Sequence, residues 1–108
     1  MSAVIYGLKN CDTCRKTLKA LPGATLVDVR AHGVPEDVLD AAFAQFGGAL
    51  LNTRSTTWRG LDDAQRAEPP RALIKAYPAL MKRPLIHVDN TCFLSWNKEI
   101  EGEVKSLL

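Results

Sequence analysis

The sequence predicts a single α/β domain that has a mixed four-stranded sheet and an all-helical insertion. Residues 3–30 have the pattern of a strand, a helix and a second strand, and the two strands of such a βαβ unit are parallel neighbours. Residues 31–83 contain no strand pattern. The last part of the chain predicts two strands joined by a tight turn and followed by a helix. These three observations predict a mixed sheet with a block of helices inserted in the sequence between its second and third strands.

The first strand is predicted at Val4–Tyr6, which is short, β-branched and aromatic, as in buried strands. Arg15–Leu21 predicts a helix with an apolar face, and Pro22-Gly23 ends it. Thr25–Arg30 predicts the second strand because apolar and polar residues alternate there. This βαβ unit would leave the loop before the helix at one end of the sheet.

The middle of the chain predicts helices over about residues 35–81. Pro35 suits the first turn of a helix, and the apolar stripe that follows it consists of Val38, Leu39, Ala42, Phe43 and Phe46. Residues 61–67 and 70–76 predict two more short helices, and residues 78–81 predict a further turn. We read this segment as an insertion within one domain that spans residues 1–108.

The sheet pattern returns near the end of the chain. Pro84–Val88 and Thr91–Trp96 predict an antiparallel hairpin, with Asp89-Asn90 as its two-residue turn. Asn97 can accept hydrogen bonds at the start of a final amphipathic helix. A βαβ unit followed by a ββα unit is the thioredoxin-like arrangement, here with the helical insertion between the two.

Composition limits the function classes. The chain has 108 residues, of which 46% are hydrophobic and 24% charged, and its net charge is +2. That charge is too small to argue for direct binding of nucleic acid or of an anionic membrane. The chain shows no export leader and no long apolar run. We therefore expect a cytoplasmic protein, and a monomer, in a reducing compartment where three cysteines do not form a disulfide scaffold.

Cys11 and Cys14 form a Cys-x-x-Cys pair between the first strand and the first helix. Unpaired N–H groups and the helix dipole favour an anion at such a junction. They can lower the pKa of a thiol from about 8.5 to roughly 3.5–7.5. We interpret Cys11 as the nucleophile. Cys14 lies one turn further on and is a resolving thiol or a packing residue; the sequence leaves both readings open.

Positive charge near a thiolate stabilises it. Lys9, Arg15 and Lys16 are close to Cys11 in sequence. Farther along the chain, Arg54 lies in a polar loop and Arg83 directly precedes a strand. The hypothesis is that both of these arginines converge on Cys11, where their guanidinium groups would bind a carboxylate or an oxyanion.

Three motifs support this hypothesis together: Gly7-x-x-Asn10-Cys11-Asp12-Thr13, then Asn52-Thr53-Arg54 followed by Thr56-Thr57-Trp58-Arg59, and finally Lys82-Arg83-Pro84-Leu85. They resemble the arsenate reductase (ArsC)/Spx family, and most closely its YffB subgroup of glutathione-dependent reductases. The resemblance covers essentially the whole chain. It implies a thioredoxin fold with Cys11 as nucleophile, Arg54 and Arg83 as anion-binding arginines, and Pro84 as a cis-proline.

The resemblance also implies an activity. Cys11 would attack a disulfide or an oxyanion, Asn10 and backbone N–H groups would steady its thiolate, and glutathione would supply electrons, directly or through a glutaredoxin. No bound cofactor or metal is implied. Arsenate reductases of this family use a third arginine after the final hairpin, whereas this chain has only Lys98 there. Spx regulators carry Cys-x-x-Cys as a redox switch, so the alternative is a regulator that binds a transcription complex.

A zinc site is the remaining alternative for the cysteines. Its ligands would be Cys11, Cys14, His87 and Cys92. Structural zinc sites usually take their ligands as two closely spaced pairs, whereas His87 and Cys92 flank a predicted hairpin turn. We therefore expect no metal and interpret Cys92 as a core residue.

Overall fold

A mixed four-stranded sheet of order β2-β1-β3-β4 organises the computed structural model, which describes residues 3–108. Its strands are β1 Val4–Gly7, β2 Thr25–Asp28, β3 Leu85–Val88 and β4 Thr91–Leu94. β1 pairs with β2 in parallel and with β3 in antiparallel orientation. The predicted fold class, the parallel βαβ pairing and the terminal hairpin are confirmed. Met1 and Ser2 of the predicted domain lie outside the described residues.

Seven α-helices lie within the described part of the chain. They are α1 Asp12–Ala20, α2 Val29–His32, α3 Glu36–Phe46, α4 Thr56–Arg59, α5 Asp63–Arg66, α6 Pro70–Ala76 and α7 Lys98–Leu107. Two 3₁₀ turns, Gly47–Leu50 and Pro78–Leu80, follow α3 and α6. The helices between β2 and β3 carry the polar loop that contains Arg54.

Each face of the sheet buries its own apolar cluster, because side chains alternate between faces along a strand. Tyr6, Leu85 and Cys92 face the cluster under α3, which also contains Leu39, Ala42, Leu50 and Met81. Ile5 and Ile86 face the other cluster, together with Leu21 directly after α1, Val88 of β3, Phe93 of β4 and Val104 of α7. The sheet is therefore covered on both faces, and the ends of its strands are left for function.

The structure differs from the sequence prediction at the end of β2 and at helix α4. The second strand was expected to reach Arg30 but ends at Asp28, because the Asp28 carboxylate accepts the Arg30 N–H at 2.9 Å and starts α2. Local capping of this kind competes with strand pairing. Helix α4 was not predicted. The Ser55 hydroxyl accepts the Trp58 N–H at 3.1 Å and begins this single turn, which has no apolar period to reveal it.

The hairpin forms as predicted at Asp89-Asn90, where both residues have positive φ. Two-residue hairpin turns with positive φ at both positions match the twist of the strands they join. β4 is an edge strand, and the Gln45 side chain covers part of that edge. Its amide donates to the Cys92 carbonyl at 2.6 Å and accepts from the Cys92 N–H at 3.2 Å. The Asn97 side chain begins α7 by accepting from Ile100.

Candidate active site

The antiparallel pairing of β1 with β3 determines where the site lies. Tyr6 is opposite Leu85, so the chain that leaves β1 after Gly7 runs beside the chain that enters β3. The Arg83–Pro84 peptide bond at that entrance is cis, as predicted. The Cys11 turn and the segment ending in Pro84 therefore occupy the same end of the sheet.

Cys11 is the residue that immediately precedes α1, and its side chain is half-buried. Burial raises the pKa of Cys11, but neighbouring polar groups outweigh burial and hold the pKa below its ordinary value. These groups are the backbone N–H and the thiol of Cys14, the Arg83 guanidinium and the backbone N–H of Thr13. The first turn of the helix, a neighbouring thiol and one arginine thus all stabilise a thiolate at this position.

Cys14 lies directly behind Cys11 and is fully buried. Burial is the largest of the effects that raise the pKa of Cys14 to about 11, and the thiol and charge of Cys11 raise it further. The Leu8 N–H and the Arg83 charge act in the opposite direction. Gly7 makes room for this sulfur, since a Cβ at position 7 would overlap the Cys14 Sγ. Cys14 therefore keeps its proton at neutral pH.

Arg83 is the predicted arginine that the structure brings to Cys11. Its Nη1 donates to the Ala79 carbonyl at 2.9 Å, which anchors the half-buried side chain. Its Nε–H is buried and has no hydrogen-bond partner within residues 3–108. A buried donor without a partner costs free energy, so an acceptor supplied by a ligand would be stabilised there.

Arg54 is held by its backbone and not by its side chain. Its N–H donates to the Asn52 Oδ1 at 3.0 Å, and the Ser55 hydroxyl donates to the Asn52 carbonyl at 3.0 Å. The side chain is exposed, and no ion pair with it occurs in the part of the chain that the structure describes. Its guanidinium is not among the groups that act on Cys11. The predicted convergence of Arg54 on Cys11 stays a prediction.

The loop of Arg54 is nevertheless tied to the segment of Arg83. Leu51 and Met81 form an isolated antiparallel β-bridge. On either side of it, the Asn52 N–H donates to the Leu80 carbonyl at 2.7 Å and the Lys82 N–H donates to the Leu50 carbonyl at 2.9 Å. The backbones that carry the two arginines therefore leave the same short bridge.

Asn10 lies in the exposed turn before Cys11. It was expected to steady the thiolate, but it is not among the groups that lower the pKa of Cys11, so this role stays a prediction.

Sequence reasoning missed Asp28, whose carboxylate accepts the Lys9 N–H at 3.5 Å as well as the N–H of Arg30. The signal was present, since an Asp at the end of a strand is a common first residue of a helix.

Two of the four residues considered as zinc ligands, His87 and Cys92, lie apart from Cys11 and Cys14. His87 pairs with Cys92 across β3 and β4, and it also pairs with Val4 at the opposite end of β1 from Cys11. Cys92 is fully buried. Within residues 3–108, no three His, Cys, Asp or Glu side chains are grouped so that they could hold a metal ion. None of the described helices is both long and apolar enough to cross a membrane.

Comparison with known proteins relates this arrangement to a family. Residues 6–100 match the ArsC family. An uncharacterized protein of Haemophilus influenzae is 36% identical over 104 residues, which cover 88% of this chain and 91% of that protein. A solved YffB protein superimposes with a TM-score of 0.82 at 28% identity, over 98% of this chain and 99% of the other. An arsenate reductase (ArsC) related protein from Brucella melitensis gives a TM-score of 0.68 at 29% identity, over 100% and 97%.

Proposed function

Because the chain belongs to the ArsC family, we propose that it is a thiol-dependent reductase in which Cys11 is the nucleophile and glutathione is the reductant. The observation that carries this proposal is the position of Cys11 directly before α1, where the neighbouring N–H groups of the first turn and the Arg83 guanidinium hold the pKa of its thiol below the ordinary value. Such surroundings favour a thiolate. The likeness to a solved arsenate reductase (ArsC) related protein from Brucella melitensis supports the same activity class.

The proposed substrate is a disulfide that contains glutathione, and the reaction has two thiol–disulfide exchanges. The Cys11 thiolate attacks the glutathione sulfur, a bond forms between these two sulfurs, and the other thiol leaves and takes up a proton. A second glutathione thiolate then attacks the glutathione sulfur of the adduct and releases oxidised glutathione together with the Cys11 thiolate. The net reaction converts one glutathione and the mixed disulfide into the free thiol and oxidised glutathione, so the partner sulfur of the substrate is reduced while the attacking glutathione thiol is oxidised.

The resolving thiol is glutathione in this proposal, although Cys14 is closer. At pH 7 a thiol whose pKa is about 11 is deprotonated in only about one molecule in ten thousand, whereas a free thiol with a pKa of about 8.5 is deprotonated in a few per cent. Formation of the adduct removes the negative charge of Cys11. The burial of Cys14, which is the largest cause of its raised pKa, remains.

Arg83 and Arg54 are proposed to hold the carboxylates of glutathione or the oxygens of an oxyanion substrate. The partnerless Nε–H of Arg83 supports this role, as does the exposed, unpaired guanidinium of Arg54 among the described residues. An oxyanion such as arsenate is the alternative substrate. Arsenate reductases of this family use a third arginine, so we expect disulfides to be the better substrates.

The test is a glutathione-dependent disulfide reduction assay, in which oxidised glutathione is coupled to glutathione reductase and NADPH. Cys11→Ser should abolish turnover, and Cys14→Ser should retain it. Cys92→Ser is the matched control because Cys92 lies in the core at the other end of the strands. Turnover by Cys11→Ser would contradict the proposal, and activity of the native protein toward arsenate with a glutaredoxin would change the proposed substrate.

A second candidate function is supported by the positions of Cys11 and Cys14 one helical turn apart, where each thiol affects the pKa of the other. In this reading the pair is a redox switch of the Spx type, and the protein binds a transcription complex in one redox state only. Such a switch would turn over no disulfide, and Cys14→Ser would abolish the effect of oxidant on binding. The same Cys14→Ser variant therefore separates the two functions.

A further inference from the structure

The turn that delivers Cys11 to the helix is held by a side chain that follows it in the sequence. The Cys11 N–H donates to the Leu8 carbonyl at 3.1 Å and closes a four-residue turn with Lys9 and Asn10 at its centre. The Nε–H of Arg15 donates to the Lys9 carbonyl at 2.8 Å. The Arg15 backbone N–H also donates to the Cys11 carbonyl at 3.0 Å.

The carbonyl that Arg15 holds belongs to the central peptide of the turn. This peptide makes no hydrogen bond within a β-turn, and its rotation by about 180° converts a type I turn into type II. Type II requires a positive φ at the third residue, here Asn10. Positive φ occurs at Asp89, Asn90 and Ser95 but not at Asn10. The observed turn thus has the type I sense, and asparagine is a residue that could also adopt the alternative.

We propose that Arg15 is a positioning residue for Cys11, because its guanidinium holds the Lys9–Asn10 peptide in this one orientation. Without that hydrogen bond the peptide can rotate, and the turn that presents the Cys11 thiol to α1 is no longer held in one conformation. The inference rests on the proposed function only in taking Cys11 as the reacting thiol. It assigns to Arg15 an effect on Cys11 that does not require contact with substrate.

The experiment measures alkylation of Cys11 as a function of pH, with the modified cysteine identified by mass spectrometry. It compares the native protein with Arg15→Met and Arg15→Lys, and it uses neutral iodoacetamide and anionic iodoacetate separately. We expect the pH profile of both variants to move to higher pH. One hydrogen bond is involved, so the rate at about pH 7 should fall about two- to tenfold. Thermal unfolding of each variant shows whether the fold is intact.

The lysine variant separates positioning from simple charge. Loss of a positive charge alone would raise the pKa of Cys11 and would slow anionic iodoacetate further, but Arg15→Lys keeps the charge and would then behave as the native protein does with both reagents; that result would overturn the proposal. Lys19→Gln removes one exposed positive charge from the same helix and should leave both profiles unchanged. A native profile in Arg15→Met would also overturn it. Because the readout is alkylation, the outcome does not depend on whether glutathione disulfides are the substrate.

Discussion

Cys11 and Cys14 lie one helical turn apart, and their surroundings move their pKa values in opposite directions. Thiolates are the reacting form, so at neutral pH Cys11 should be alkylated in the folded protein while Cys14 is modified only after unfolding. As the pH falls, the reactivity of Cys11 should persist below about 8.5 and decline only through its lowered pKa. Peptide mapping after brief alkylation at several pH values measures both. Early modification of Cys14 would contradict the assignment.

The two arginines should have separable effects. Arg83 is anchored to the Ala79 carbonyl and lowers the pKa of Cys11, so Arg83→Ala should raise the pKa of Cys11 and lower the free energy of unfolding by about 1 kcal/mol or more. Arg54 is exposed, so Arg54→Ala should weaken binding of an anionic substrate and leave the stability unchanged. Steady-state kinetics with thermal unfolding tests both variants. A raised KM without loss of stability in Arg83→Ala would show that its anchoring is unimportant.

At the scale of elements, the contact between β1 and α1 depends on Gly7, which has no side chain. A Cβ at Gly7 would overlap the Cys14 Sγ, whereas a Cβ at Gly102 in α7 meets nothing within 4 Å. Gly7→Ala should therefore lower the free energy of unfolding by about 1–3 kcal/mol. The matched substitution Gly102→Ala should raise it by about 0.5–1 kcal/mol, because alanine favours a helix interior. Chemical denaturation measures both, and equal effects of the two changes would refute this account of the β1–α1 contact.

The elements that the sequence predicted are those with long apolar periods or distinctive turns. α3 and the Asp89-Asn90 hairpin belong to this class, since their patterns reflect burial and positive φ directly. The end of β2 and the start of α4 were not predicted because single side chains, Asp28 and Ser55, decide them. Periodicity does not report such local hydrogen bonds.

The site was predictable to the extent that it follows from motifs and strand order. The motifs indicated Cys11 and Arg83, and the antiparallel pairing of β1 with β3 explains why they meet. The contacts of Arg15 with Lys9 and of Gln45 with Cys92 could not be predicted. They depend on where flexible side chains end after the backbone has folded.

At the scale of the whole molecule, buried acidic groups make the protein less stable at alkaline pH. Burial raises the pKa of Cys14, Cys92 and Tyr6, so above their ordinary pKa values the unfolded chain releases protons that the folded protein retains. Stability must then fall as the pH rises. For Cys14, between pKa values of 9.0 unfolded and about 11 folded, the loss is on the order of 2–3 kcal/mol.

Cys11 changes the stability with pH in the opposite direction. Its lowered pKa contributes stability that is complete above its ordinary pKa and is lost at lower pH. It therefore does not change the slope above about pH 9. Denaturant unfolding of the native protein and of Cys14→Ala, between about pH 8.5 and 10.5, should show a shallower decline for the variant. Parallel declines would mean that Cys14 ionises as readily in the folded protein as in the unfolded chain.

The bridge between Leu51 and Met81 has a consequence for how this architecture can diversify. Residues paired across an antiparallel bridge have Cα atoms about 5 Å apart, so everything between them is a loop whose two ends already meet. Doubling the length of a flexible closed loop costs only about 0.6 kcal/mol. The part of this loop that holds Arg54 and helices α4 and α5 can thus change in length, while Ile74 stays in the core cluster and Ala79 keeps its hydrogen bond to Arg83. New substrate preferences can arise by changes in that part, without rebuilding the thiol chemistry.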